Sequence, residues 1–144
     1  MKIAVASDHA GFDYKERAKA YLVTLGHEVV DYGAFNAERS DYPDFGHAGA
    51  EGILRGEAER GIFVCGSGIG IGIAANRHKG IRAATAITEE MARLSRMHNN
   101  ANVLAIGQRI SAWEEAVLLI DVFLNTPFEG GRHEMRAEKL DNFA

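Results

Sequence analysis

The chain of 144 residues has a single cysteine, only two prolines, no excess of basic residues and no long apolar run. One cysteine cannot close an internal disulfide, and a reducing compartment keeps it as a thiol. A formal charge of -4 gives no general attraction to polyanions, and no basic cluster with stacking aromatics offsets it, so nucleic acid is not an expected partner. The apolar run at residues 1–6 is too short for a signal peptide, and no stretch approaches the roughly 18 apolar residues of a membrane span. A cytoplasmic protein without a membrane partner is the expectation.

What the chain has is glycine, 16 residues of it, in an otherwise ordinary globular composition of 47% apolar and 25% charged residues. No repeat, low-complexity tract or linker divides it, which predicts one domain over residues 1–144. Short β-rich runs at 3–6, 29–32, 62–65, 81–86 and 103–106 alternate with helical patterns, the signature of a parallel sheet. Side-chain acceptors mark helix starts at Asp13 with Glu16, at Thr88, and at Ser111 with Glu114. Helices are thus predicted at about 13–25, 88–98 and 111–125, with others at about 44–55 and 71–78 and a last one from near Arg132. The predicted fold is a three-layer α/β sandwich: a five-stranded parallel Rossmann-like sheet with helices on both faces. Ligands in such sheets bind beyond the carboxyl ends of the strands at a switch point, which would set Ser7-Asp8-His9 against the loop at 65–70.

That loop, Cys65-Gly66-Ser67-Gly68-Ile69-Gly70-Ile71-Gly72, runs from a strand end into a helix. Glycines allow successive N–H groups to converge, and a helix amino terminus adds partial positive charge, so the segment reads as an anion cradle. A tight turn that needs glycine only for steric reasons is the alternative. A dinucleotide fingerprint fails in both registers, because it would need glycine at Ile71 or Ile73. A Walker loop would end in Gly-Lys-Ser or Gly-Lys-Thr, and a nucleophile elbow around Ser67 would need glycine at Cys65 and Ile69. A cysteine-dependent phosphatase would carry arginine where Ile71 stands. What remains is a thiol at the mouth of a cradle of amides. Free cysteine titrates near roughly 8.5, and a helix amino terminus can bring a thiol into the neutral range. Such a base beside oxyanion donors suits proton abstraction next to a carbonyl; a buried small hydrophobe is the bland alternative for a lone cysteine.

Six segments together resemble a known family: Ser7-Asp8-His9-Ala10-Gly11, Asp41-Tyr42-Pro43, Cys65 through Gly70, Ile73-Ala74-Ala75-Asn76, His98-Asn99 and Gly130-Gly131-Arg132-His133. In order, and over nearly the whole chain, they are similar to the type B ribose-5-phosphate isomerases and the related galactose-6-phosphate isomerase subunits. The resemblance implies an aldose-ketose isomerase acting through a cis-enediolate, with Cys65 shuttling the proton between the first two sugar carbons. Ser67 and the amides of Gly66, Gly68, Ile69 and Gly70 would hold the enediolate oxygen, and Asp8 would move protons between sugar oxygens. His98 corresponds to the ring-opening acid, Asn99 and Tyr42 to substrate contacts, and His9, Arg109, Arg132 and Arg136 to the phosphate-binding group.

The family's second branch has an acidic base where Ile71 stands, so this chain looks like the cysteine branch. The resemblance also implies a homodimer or dimer of dimers with shared active sites, a C-terminal segment at about 126–144 reaching the partner, and neither cofactor nor metal. Ribose 5-phosphate and ribulose 5-phosphate are the expected pair. The alternatives are galactose 6-phosphate, allose 6-phosphate or a tetrulose 4-phosphate, or a non-catalytic phosphosugar-binding subunit. Gly72 and Asn100 depart from a serine and an aspartate found in many relatives.

Some of these assignments have a physical basis of their own. A helix carboxyl end, where His98 is predicted, favours a proton donor. Arg132 and Arg136 share one helix face at a spacing of four, suited to gripping a phosphate. A capping histidine and a merely solvated face are the respective alternatives. His27, His47 and His78 show no metal-ligand spacing with one another.

Overall fold

The computed structural model of the protein describes residues 1–143. Its five strands, β1 (Lys2–Ser7), β2 (Glu28–Asp31), β3 (Arg60–Cys65), β4 (Ala83–Thr85) and β5 (Val103–Gly107), pair in parallel in the order β2-β1-β3-β5-β4. Six α-helices accompany them: α1 (Phe12–Thr24), α2 (Tyr42–Leu54), α3 (Ile69–Asn76), α4 (Glu89–Asn99), α5 (Trp113–Asn125) and α6 (Arg132–Glu138). The expected three-layer α/β fold is the one observed.

The strand order fixes which face each helix covers. Connections through α1 and α4 step one way across the sheet, and those through α2 and α3 step the other way, so right-handed crossovers send the two pairs to opposite faces. Burial agrees. Ala18 and Leu22 of α1, Ala92 of α4 and Leu119, Ile120 and Phe123 of α5 pack on Ile3, Val5, Ile62, Leu104 and Ile106. Ala50 and Ile53 of α2 with Ile71 and Ala75 of α3 pack on the alternate residues Ala4, Ala6, Phe63, Cys65, Val103 and Ala105. A strand buried on both sides needs apolar residues at every position, which explains why these runs read as continuous rather than alternating.

Two helix starts differ from the sequence reading. Asp8, not Asp13, is the local cap: its Oδ1 accepts from Gly11 N–H at 3.1 Å and closes a 3-10 turn, His9–Gly11, ahead of α1. Ser111 is buried with no partner for its hydroxyl among the described residues, and α5 begins after Ala112. Thr88 does cap α4, accepting from Met91 N–H at 3.1 Å. The strand read at 81–86 shortens to Ala83–Thr85, because Ile81 N–H closes a turn onto His78 O.

The first turn and the β2 edge are locked to the sheet by two further features. A Cβ at Gly11 would lie 2.4 Å from Val64 O, so glycine is what lets the turn after β1 press against β3 and brings Asp8 and His9 alongside Cys65. Lys15, fully buried, donates to both oxygens of Asp31 at 2.8 and 2.7 Å, tying α1 to the end of β2. Burial pushes the Asp31 carboxyl up, but Lys15, Lys19 and the Gly33 N–H together overcome it and hold the group below its usual range.

Candidate active site

The loop after β3 is where local sequence and chemistry meet. Gly68 adopts φ +78°, a conformation that side chains resist, and a Cβ there would lie 2.9 Å from the Ile106 carbonyl carbon. In this conformation Gly68 N–H points at Cys65 Sγ, 3.1 Å away. Ser67 Oγ accepts from Ile69 N–H at 3.1 Å, which leaves its own proton to donate. Two of the amides expected to cradle an oxyanion are therefore committed inside the loop. Those of Gly66, Ser67 and Gly70 have no acceptor among the described residues.

A cavity of about 610 Å³ opens over this loop, lined by Asp8, His9, Tyr42, Cys65, Gly66, Ser67, Ile69, Gly70 and Arg109. Cys65 is 4% exposed, and that small window lies in the cavity wall. Asp8 has one oxygen on Gly11 N–H and, among the described residues, no donor on the other. The Tyr42 ring lies directly on the Gly70 backbone, where a Cβ would come within 2.6 Å of it. Arg109 is tied down by its own N–H, which donates to Gly66 O at 3.0 Å, and its guanidinium reaches over Gly66.

His9 is held by a residue that sequence reasoning missed. Ser40 Oγ accepts from His9 N–H at 3.1 Å, and the ring Nδ1 lies 3.1 Å from Ser40 O and 3.2 Å from Ser40 N. A neutral ring can accept from the amide and a charged ring can donate to the carbonyl. In both states Nε2 carries a proton, available to an anion. No sequence signal marks Ser40 beyond its place two residues before Tyr42 in the long β2–α2 loop.

The remaining candidates lie elsewhere. Helix α4 descends from the carboxyl end of β4, so His98 and Asn99 at its end sit beside the start of β5, at the amino ends of the strands. The residues of β3 alone separate the two ends by about 17 Å, more than a five-carbon phosphate spans. Helix α6, with Arg132 and Arg136, packs on α4 at that far end. His133 stacks on His98 with ring centroids 4.3 Å apart and planes 14° apart, and Glu129 Oε2 lies 3.8 Å from His98 Nε2. Burial, then the neighbouring Arg132 and His98, holds the His133 ring below its usual pKa range. Sequence reading places both groups in one site; one chain keeps them apart, because the direction of α4 follows from the strand order.

Histidine pairing also exceeded what spacing could show. His47 Nδ1 and His78 Nε2, 31 residues apart in sequence, meet at 2.7 Å between α2 and the turn after α3. His98, Glu129 and His133 offer three ligand atoms within 4.8 Å of one another, the kind of cluster that can hold a metal ion. Their near-parallel rings set the nitrogens side by side instead of converging on a point, which favours stacking over chelation. No helix among the described residues is long and apolar enough to cross a membrane.

Comparison with known proteins gives a consistent result. The pattern of the ribose/galactose isomerase family matches residues 3–140. Ribose-5-phosphate isomerase B of Escherichia coli is 45% identical over 139 residues, covering 96% of this chain and 93% of the relative. The galactose-6-phosphate isomerase subunit LacB of Clostridium acetobutylicum is 41% identical over 129 residues, covering 90% of this chain and 75% of that one. The solved ribose-5-phosphate isomerase B of Clostridium thermocellum superposes with a TM-score of 0.97 at 46% identity, covering 98% of this chain and 95% of that chain.

Proposed function

The chain belongs to the ribose/galactose isomerase family, and from that premise we propose how it interconverts ribose 5-phosphate and ribulose 5-phosphate. It is an aldose-ketose isomerase, and the chemistry is assigned to the cavity over the glycine loop. The observation that carries the assignment is the Cys65 thiol in the cavity wall, with a donor on its sulfur and unpaired amides beside it.

In the proposed cycle the open-chain aldose lies with C2 against Cys65 Sγ. The thiolate takes the C2 hydrogen as a proton, and the electron pair moves through the C1–C2 bond onto the carbonyl oxygen, giving a cis-enediolate. Amides of Gly66, Ser67 and Gly70 and the Ser67 hydroxyl are placed to receive that charge, which is the interaction that grows most in the transition state. Asp8 carries the hydroxyl proton from O2 to O1, and Cys65 returns its proton to C1. Every atom is conserved and the route uses no cofactor or metal.

The phosphate end requires more than one chain. His9 and Arg109 supply two donors from the cavity wall. Arg132, Arg136, His98 and Asn99 come from a second copy, whose C-terminal segment of about 126–144 reaches over the cavity. The far-end position of these residues in their own chain supports that reading. A homodimer, or a dimer of dimers, then has two shared sites, with His98 of one copy acting as ring-opening acid for the other. A cytoplasmic setting, which keeps the single thiol reduced, fits the same scheme.

A second reading, the same chemistry on galactose 6-phosphate or another phosphosugar, is favoured by the LacB relative. Turnover of a panel of phosphorylated aldoses in D₂O separates the two. Ribose 5-phosphate is expected to give the highest kcat/KM, with solvent deuterium entering the carbon that is reprotonated; preference for a six-carbon substrate would favour the second reading. Binding without isomerisation or exchange would reduce the protein to a phosphosugar-binding subunit.

A further inference from the structure

The Gly68 N–H faces Cys65 Sγ with Gly68 in a left-handed conformation. Gly68 lies among Gly66, Gly70 and Gly72, in a segment where glycine gives the backbone little intrinsic preference, so something outside the loop must choose the conformation. Gln108 and Arg109 hold the carbonyls of Cys65 and Gly66, and the contact on Gly68 itself comes from the sheet edge. Thr85, the last residue of β4, donates its hydroxyl to Gly68 O at 3.1 Å, and Gly72 N–H reaches the same oxygen at 3.3 Å. That oxygen belongs to the Gly68–Ile69 peptide, so holding it with two donors restrains rotation about the Gly68 Cα–C bond, one of the two bonds that aim the Gly68 N–H at the sulfur.

Gly72 is part of the same arrangement. A Cβ there would stand 2.9 Å from Thr85 Oγ1, so the glycine is what leaves room for the threonine hydroxyl. We infer that Thr85 is a positioning residue for the thiol, acting through the Gly68 carbonyl, and that Gly72 and Thr85 form a complementary pair. One hydroxyl must reach Gly68 O, and it can come either from the edge strand or from position 72. A serine at 72 lies four residues after Gly68, the spacing at which a helical serine bonds back to a carbonyl.

The inference deepens the assignment of Cys65 as the base, and its test reads the thiol separately from turnover. With one cysteine in the chain, iodoacetamide alkylation reports on Cys65 alone. Thr85→Val keeps the shape and removes the hydroxyl. It is expected to slow alkylation at pH 7 and to lower kcat, each about fivefold, the loss for one neutral hydrogen bond, with KM unchanged. A merely structural loosening would speed alkylation by exposing the sulfur.

Thr85→Ser should retain both rates. Thr85→Ala should lose them, and Gly72→Ser added to Thr85→Ala should restore them, whereas Gly72→Ser with Thr85 in place should be impaired by the close contact. If Thr85→Val overpacks, the Thr85→Ala pair carries the same test. Wild-type alkylation and turnover in both Thr85→Val and Thr85→Ala would overturn the inference. Slowed alkylation with undiminished kcat would leave the positioning role standing and remove Cys65 from the chemistry.

Discussion

The two ends of the sheet are built on different principles. At the carboxyl ends of the strands, the Cys65 loop is fixed by backbone: a glycine at φ +78°, an amide on the sulfur, and carbonyls held by Gln108, Arg109 and Thr85. At the amino ends, His98, Asn99, Arg132 and Arg136 ride on helix termini, with exposed arginines and a stacked histidine pair. Arg96 anchors that end by donating to Thr126 O, Ala101 O and Asn100 Oδ1, and burial brings it down to about 10. One end is built around fixed backbone donors. The other carries exposed charge.

The largest expected effect falls on the first end. Cys65→Ala should lower kcat by up to about 10⁴-fold, the upper range for loss of a positioned base, with phosphosugar binding retained in titration calorimetry. Near-normal turnover would move the chemistry elsewhere. Next comes the far end: Arg132→Ala with Arg136→Ala should raise KM on the order of a hundredfold, as two charged hydrogen bonds predict, while leaving alkylation of Cys65 unchanged. Equal damage to both measurements would mean that the two ends are not separable.

A smaller effect is expected for His98→Asn, because sugar rings also open spontaneously; kcat on ribose 5-phosphate should fall about tenfold, and pre-opened aldose should be consumed at the normal rate. Least affected in activity is Asp31→Asn, which tests the anchoring of the carboxyl end. It should cost about 2 kcal/mol in urea unfolding at pH 7, less than a fully orphaned buried pair, because Glu16 remains 3.0 Å from Lys15. The folded Asp31 carboxyl titrates below its unfolded range, so its contribution is complete above that range and is lost as pH falls through the lower folded value. The stability gap between wild type and Asp31→Asn should therefore close in acid; a gap independent of pH would contradict the ion-pair account.

How much of this could be read from residues alone follows the same division. The Cys65 loop was legible because its cause is local: glycines at a strand end, with register excluding the nucleotide-binding motifs. The sheet and its two buried faces were legible from continuous apolar runs. The separation of His98 from Cys65 was not, because it depends on which way α4 runs, and that depends on β4 lying outside β5. Resemblance supplied the roles of the far-end residues and a partner-reaching segment for Arg132 and Arg136, but not the far-end position of His98 and Asn99 in their own chain. Ser40, Thr85 and the His47–His78 pair act through contacts made across the fold, and no local pattern announces them.

The account depends most on the far end of one chain completing the cavity of another. Mixing Cys65→Ala chains with Arg132→Ala, Arg136→Ala chains tests this directly when substrate is held well below the wild-type KM, where each variant alone is expected to turn over about a hundredfold or more slowly. Random pairing makes half of the dimers mixed, and each mixed dimer has one intact site, so recovery of about a quarter of wild-type turnover per chain is predicted. No recovery in a sample shown by mass spectrometry to contain mixed dimers would contradict it.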